Sequence, residues 1–260
     1  MSTPTFSRRA LLAGVGGLAV AAAWAQTGDA ATERYAVLSL IGDKLTMVGY
    51  RTPLGSNIDQ NDRRIMPISS PVFDNAALLG VDDAIKRLQP KAATTLLSSR
   101  DPKLFALQEN SLEQPADAAD AVGAIKALLQ QSKATRLILL SPYRAEARFQ
   151  MRENLVGSGR VGGLGFYLDR VMRVTLVDSG ERGTGYMAPY AFFAVSLIDA
   201  TTLKTLRRKL ITESEVVPTS ASKAATVPWE TLSDVQKVEA LQRLIRRGVD
   251  SAIPELLAST

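Results

Sequence analysis

The chain has 260 residues, with 31 Lys and Arg against 26 Asp and Glu, and it contains neither His nor Cys. Without imidazole or thiol there is no Ser-His-Asp triad, no Cys-His pair, no His/Cys zinc site, no haem with an axial His and no disulfide. The hydrophobic (46%) and charged (22%) fractions are those of an ordinary globular chain, and no residue set calls for a cofactor or a metal.

The N-terminus reads as an export signal. Ser7-Arg8-Arg9-Ala10-Leu11-Leu12 fits the twin-arginine pattern S-R-R-x followed by two apolar residues, and a weakly hydrophobic Ala/Gly/Leu/Val run continues to Ala23. Ala23-Trp24-Ala25 supplies the small-x-small site of a signal peptidase, so the mature chain is expected to start near Gln26. An ordinary Sec signal that contains Arg-Arg is the alternative. The expected transit partner is therefore the twin-arginine or the Sec translocase. With no Cys there is no lipobox, and no later stretch reaches the ~20 apolar residues of a membrane span. The expected location is periplasmic or secreted. Removing residues 1–25 takes away two arginines and no acid, so the net charge of +5 falls to +3. That is too small for a nucleic-acid footprint. Residues 26–260 read as one domain.

Tyr35 to Ile41 and Lys44 to Arg51 are strand-like, and Gly42-Asp43 between them predicts a two-residue hairpin. Ile65 to Ile68 is a short strand candidate. Asp74 is placed as the N-cap of a helix whose apolar face is Leu78, Val81, Ile85 and Leu88 and which ends before Pro90. Ala92 to Ser99 reads as a strand. Pro115 opens a second helix, with Asp117 and Asp120 in its first turns and Ala118, Val122, Ile125 and Leu129 as its buried face. Leu137 to Leu140 is a continuous apolar run, the signature of a central strand covered on both faces.

Long hairpin-like segments follow at Phe149 to Val156, Gly165 to Val177, Tyr186 to Ile198 and Leu203 to Val217. A final helix begins at Thr231 or Ser233. Its predicted apolar stripe is Val235, Val238, Leu241, Ile245, Val249 and Ile253, with Lys237, Glu239, Arg243, Arg246 and Arg247 outside it and an interruption at Pro254. The fold class is α+β: a mixed sheet with two packing helices in the first half, antiparallel hairpins in the second and a closing amphipathic helix.

Three motifs fail on context. Gly157-Ser-Gly159-Arg-Val-Gly162 spells G-x-G-x-x-G, but a strand pattern follows it where a phosphate loop needs a helix N-terminus. Gly42-Asp43-Lys44-Leu45-Thr46 resembles the first block of the SGNH/GDSL esterases, yet Lys44 stands where the nucleophile belongs and the family's His is absent. Ser220-Ala-Ser222-Lys223 spells S-x-x-K inside a segment bracketed by Pro218 and Pro228, and Lys204-Thr205 precedes it rather than following. A carboxylate pair would serve a glycan hydrolase, but nothing in the spacing of Asp59, Asp62, Asp82, Asp83, Asp169 and Asp199 selects two of them.

Arginine is concentrated between 144 and 182. Arg144, Arg148 and Arg152 are spaced by four and are expected to share a face, with Arg160, Arg170 and Arg173 further on and the glycines Gly157, Gly159 and Gly162 among them. This region is the candidate partner surface, for an envelope protein or an anionic glycan or lipid. A solvated edge strand with protective charges is the competing reading.

Ala194-Val-Ser-Leu-Ile-Asp199-Ala-Thr-Thr-Leu-Lys-Thr-Leu206 resembles a hairpin of periplasmic domains of the curli-secretion and TolB amino-terminal type, with Thr202-Leu203 where a Gly is expected. The resemblance implies envelope assembly or accessory work and assigns no functional residue. The sequence thus points to a non-enzymatic envelope-binding protein, with a carboxylate-based glycan hydrolase or a small-ligand binder as alternatives.

Overall fold

The computed structural model describes residues 33–52, 59–99, 101–105, 119–152, 154–175, 182–219 and 227–258. The expected export signal, with Arg8, Arg9, Leu11, Leu12, Ala23 and Ala25, lies outside these residues, as do Pro115, Asp117 and the Ser220–Lys223 motif.

In chain order the elements begin β1 (Arg34–Ser39), β2 (Lys44–Gly49), β3 (Asp62–Pro67), α1 (Val72–Leu88), β4 (Ala93–Leu97), α2 (Pro102–Phe105), α3 (Ala119–Ser132) and β5 (Arg136–Pro142). Three short strands follow, β6 (Arg144–Glu146), β7 (Phe149–Met151) and β8 (Asn154–Val156). Then come β9 (Arg160–Thr175), β10 (Arg182–Asp199), β11 (Thr205–Ser214), β12 (Val217–Pro218), a 3-10 turn at Pro228–Thr231 and α4 (Asp234–Leu257). The fold class is α+β, as the sequence indicates.

The long strand β10 organises the sheet. Its residues Arg182 to Phe192 pair with β9 and Phe193 to Asp199 with β5, while β11 runs along its other edge from Tyr190 to Ile198. Because β11 faces both zones from the opposite side, β5 and β9 lie end to end on one side of β10. β1 is parallel to β5 and β2 is parallel to β9, so β1 and β2 are also end to end and run the same way. β4 and β3 complete the two outer rows.

This geometry overturns the hairpin predicted at Gly42-Asp43. Both edges of β1 are taken by parallel strands, so β2 cannot fold back on it, and residues 40–43 form a bulge in a continuing row. Asp74 fixes that bulge: its Oδ1 accepts from Ser39 Oγ at 2.7 Å, Gly42 N at 3.1 Å and Ile41 N at 3.2 Å. Asp74 is therefore not the helix N-cap; α1 starts after Pro71 with no side-chain cap.

One face of the sheet carries α1 and α4. There Val37, Ile138, Leu164, Phe166, Phe193 and Val195 pack with Val81, Ile85, Leu241, Ile245 and Val249. The other face is covered in two halves. Ile125 and Leu129 of α3 lie over Leu38, Leu137 and Leu139. The excursion between β5 and β9 lays Ala147, Phe149, Val156 and Val161 over Tyr167, Tyr186, Tyr190 and Phe192. Leu137 to Leu140 are thus buried on both sides, alternate residues in opposite layers, which explains their unbroken apolar run.

The helix start expected at Thr231 or Ser233 falls at the latter: Ser233 caps α4 in a reciprocal capping box with Gln236. Three details of the helix faces differ. Leu88 is 47% and Val235 68% exposed, because each sits at a helix end beyond the packed stripe. Lys237, assigned to the outer face, is buried: its ammonium lies 4.0 Å over the Trp229 ring and pairs with Asp234 at 3.0 Å. Pro254 does not interrupt α4, which continues to Leu257; a proline in the last turn removes one backbone donor only. No helix among the described residues is long and apolar enough to cross a membrane.

Candidate functional site

The excursion leaves the sheet at Tyr143 and returns at Gly163. Its two ends are stitched by Tyr143 N donating to Phe192 O at 3.0 Å and Gly163 N donating to Tyr143 O at 3.2 Å. β6 pairs back on the start of β9, and β7 and β8 form a separate hairpin. Ala147, Phe149 and Val156 anchor this cover to the aromatic layer below; Phe149 lies 5.1 Å from Tyr167 between ring centroids.

Between β6 and the loop before β9 lies a cavity of about 950 Å³, walled by Asp59, Tyr143, Arg148, Ser158 and Arg160 and by the backbone of Gly157 and Gly159. Both glycines have positive φ, 102° and 75°. A Cβ at Gly157 would fall 2.5 Å from Ala147 O, and one at Gly159 would fall 2.6 Å from Asp59 Oδ1. The glycines therefore serve a tight loop between strands, and the nucleotide-loop pattern that their spacing spells is absent. Ser158 pins the loop: its N–H donates to Tyr167 Oη at 3.1 Å and its carbonyl accepts from Asn61 Nδ2 at 2.8 Å.

Asp59 organises the charges. Its Oδ2 accepts from an Arg63 guanidinium N–H at 2.5 Å and from Arg160 N at 3.3 Å, with an Arg144 guanidinium nitrogen at 3.8 Å. Arg63 also donates to Arg160 O at 2.9 Å, and the Arg160 side chain donates to Arg144 O at 3.4 Å. Burial disfavours the Asp59 carboxylate, but the Arg63 and Arg160 hydrogen bonds and the Arg63 and Arg144 charges outweigh it and hold the pKa below the ordinary 3.8. Its other oxygen, Oδ1, is buried without a hydrogen-bond partner. At the rim Arg148 pairs with Glu146 at 2.7 Å, both largely exposed.

The structure divides the nominated arginine surface. Arg148 and Arg160 line the cavity with Gly157 and Gly159, Arg144 approaches only its wall residue Asp59, at 3.8 Å, and Gly162 packs against Arg144. Arg152 sits at φ 51° in the turn between β7 and β8. Arg144, Arg148 and Arg152 fall in a strand, a connection and a turn, so the four-residue spacing puts them on no common stripe. Arg170 is ten residues along β9 from Arg160, about 33 Å away at strand rise. With Arg173 it belongs to the far end of the β9–β10 ribbon.

The other acids are engaged locally. Asp62 pairs with Arg51, Asp82 with Lys86 and Thr94, and Asp199 with Arg136 and the Thr201 and Thr202 amides. Asp169 accepts from Val171 N and Met172 N, and Asp83 is exposed. Tyr143, Arg63, Asn61 and Tyr167 were not legible as site residues. Only the alternation Asp59-x-Asn61-x-Arg63 in a turn-rich segment hints that polar groups gather there.

No protein-family model matches the sequence, and no curated protein matches it. Among solved structures the chain is similar to the PelC dodecamer of Paraburkholderia phytofirmans, at 10% identity over 88% of this chain and 90% of that one, TM-score 0.32. It is also similar to a neuraminyllactose-binding hemagglutinin homologue of Helicobacter pylori, at 7% identity over 87% of each chain, TM-score 0.39. A third is a DUF330 protein of Xanthomonas campestris, at 9% identity over 86% and 81%, TM-score 0.29. At these values no residue, ligand or partner is carried over.

Proposed function

We propose that the chain is exported through the Arg8-Arg9 signal, cleaved after Ala25, and works in the cell envelope as a single-domain, non-enzymatic binding protein whose site is the cavity under the 143–162 excursion. The observation that carries this reading is the convergence at one cavity of residues from three segments: Asp59, held by Arg63 from behind, then Tyr143 and Ala145 to Arg148, and Gly157 to Arg160. The cavity's size is that of a small-ligand or glycan-end site.

A binding role is favoured over carboxylate catalysis by the state of the acids. A glycosidase general acid needs a raised pKa, whereas Asp59 is held down by arginines and Glu146 faces solvent. Chemical crosslinking in intact cells tests the reading. The pair Arg148→Ala and Arg160→Ala removes the two guanidiniums that line the cavity and should abolish the crosslinked adduct of the folded, exported protein. An unchanged adduct would refute the site. Replacing Arg8-Arg9 with Lys-Lys should block export; normal export would reassign the protein to the Sec route.

A further inference from the structure

We infer that the chain forms a two-fold dimer through the open edge of β11, a surface that shares no residue with the cavity. Among the described residues β11 is the longest strand paired on one side only, with ten residues against six in β3 and five in β4. An open edge is a row of backbone groups ready to pair with another chain. Glu215 N donates to Pro189 O at 3.2 Å, and the register with β10 runs unbroken from Tyr190–Ser214 to Leu197–Arg207. Arg207, Lys209, Ile211 and Glu213 therefore turn their N–H and C=O groups toward β10, and Arg208, Leu210, Thr212 and Ser214 turn theirs outward. Arg247 of α4 reaches round to this edge and donates to Ser214 O at 2.9 Å. Leu210, 42% exposed, lies near its middle.

The edge is complementary to its own reverse, which makes a second copy of this chain the partner. Arg207 and Lys209 stand at its start and Glu213 and Glu215 at its end, all on the α4 side of the sheet. A copy running antiparallel about an axis at Ile211 sets Lys209 opposite Glu213 and Arg207 opposite Glu215 of the other chain, and the reverse. An axis at Leu210 leaves Lys209 opposite Ile211, and one at Lys209 sets the lysine against itself. The position of α4 selects the same axis. A Cβ at Gly248 would fall 2.5 Å from Ile211 Cγ2 and 2.8 Å from Phe193 Cζ, and these two residues are register partners, so α4 lies over the seam of β10 and β11. With strands about 4.8 Å apart, that seam is about 4.8 Å from the axis, which puts the two α4 helices about 9.6 Å apart, within the 8–10 Å of packed helices. α4 runs antiparallel to β11: Arg247 meets Glu213 and Ser214, and Glu255 meets Lys209. Ser251, exposed and midway between them, comes abreast of Ile211. Arg247 then faces Glu255 of the second copy, with only the small Ser251 between the helices at the axis.

The test is sedimentation velocity of the purified protein, which should run as a dimer. Leu210→Pro removes an outward N–H, a change an open edge tolerates, and should weaken the dimer at least about tenfold with unchanged circular dichroism. Because the chain has no Cys, introduced thiols report the register. Leu210 of one copy falls opposite Thr212 of the other with about 5.5 Å between Cα atoms, whereas two Leu210 or two Thr212 lie about 8 Å apart, beyond disulfide reach. A mixture of Leu210→Cys and Thr212→Cys chains should therefore form, on mild oxidation, a disulfide that neither variant forms alone. A monomeric protein, a dimer that Leu210→Pro leaves intact, or a mixture that links no better than either variant alone would each overturn the inference. If Leu210→Pro unfolds the chain, the cysteine mixture decides.

Discussion

Asp74→Ala removes an acceptor that three donors share. The Ser39 hydroxyl and the Ile41 and Gly42 amides all point at Asp74 Oδ1, and Asp74 itself is 4% exposed. Each buried donor left without a partner costs about 1–3 kcal/mol. The Ser39 hydroxyl can rotate, and water entering the vacated space would satisfy part of the rest, so the expected loss is about 3–5 kcal/mol rather than the full sum. Asp74→Asn keeps an oxygen at the same place and loses only the charge, about 1–2 kcal/mol. The assay is urea unfolding followed by circular dichroism, reading the midpoint at constant slope. The reasoning fails if Asp74→Ala costs less than about 1 kcal/mol, or if Asp74→Asn costs as much as Asp74→Ala.

Three further outcomes are expected. Asp82 and Asp59, despite burial, are lowered below 3.8 by hydrogen bonds from Lys86 and Thr94 and from Arg63 and Arg160, and Asp199 by those from Thr202 and Thr201. Their contribution is present above the unfolded value and lost as pH falls through the lowered one. Burial raises Tyr35, Tyr167, Tyr186 and Tyr190 above 10.0, a contribution present below 10.0 and lost as pH rises past it. With no His or Cys to titrate between, Tm should stay level within about 2 °C from pH 5 to 8 and fall below about pH 4 and above about pH 10; a slope inside the plateau would contradict the assignment. The Tyr186 hydroxyl is buried without a partner while Tyr167 Oη accepts from Ser158 N. Tyr186→Phe should thus be neutral or stabilising by about 1 kcal/mol, and Tyr167→Phe destabilising by about as much, measured by urea unfolding. Leu203 is buried at φ 57°, so Leu203→Ala loses packing and keeps the strain of about 1 kcal/mol that Leu203→Gly releases. In thermal melts Leu203→Gly should be the more stable of the two; the reverse order would show that Leu203 bears no strain.

What the sequence made legible were features written within one segment. The double-sided strand at Leu137 to Leu140, the start of the last helix near Ser233 and the Asp199 turn carry their physics in neighbouring residues. In that turn Leu203 takes the left-handed conformation that Gly adopts without cost. What escaped depended on partners far along the chain. Gly42-Asp43 has the composition of a hairpin, and only Asp74, with both edges of β1 already occupied, makes it a bulge. Lys237 looks like a surface residue until Trp229 comes under its ammonium. The arginine concentration was visible, but its division was not. Asp59, about a hundred residues before Arg160, decides which arginines meet at the cavity, and strand length carries Arg170 and Arg173 away.

The most direct test of the cavity as the binding site is site-specific photocrosslinking in the periplasm. A photoreactive amino acid replaces Tyr143 at the cavity wall in one strain and Val235, exposed on α4, in another. Tyr143 should give a discrete adduct that Arg160→Gln suppresses, and Val235 should give none. Equal adducts at both positions, or an adduct at Val235 alone, would contradict the account.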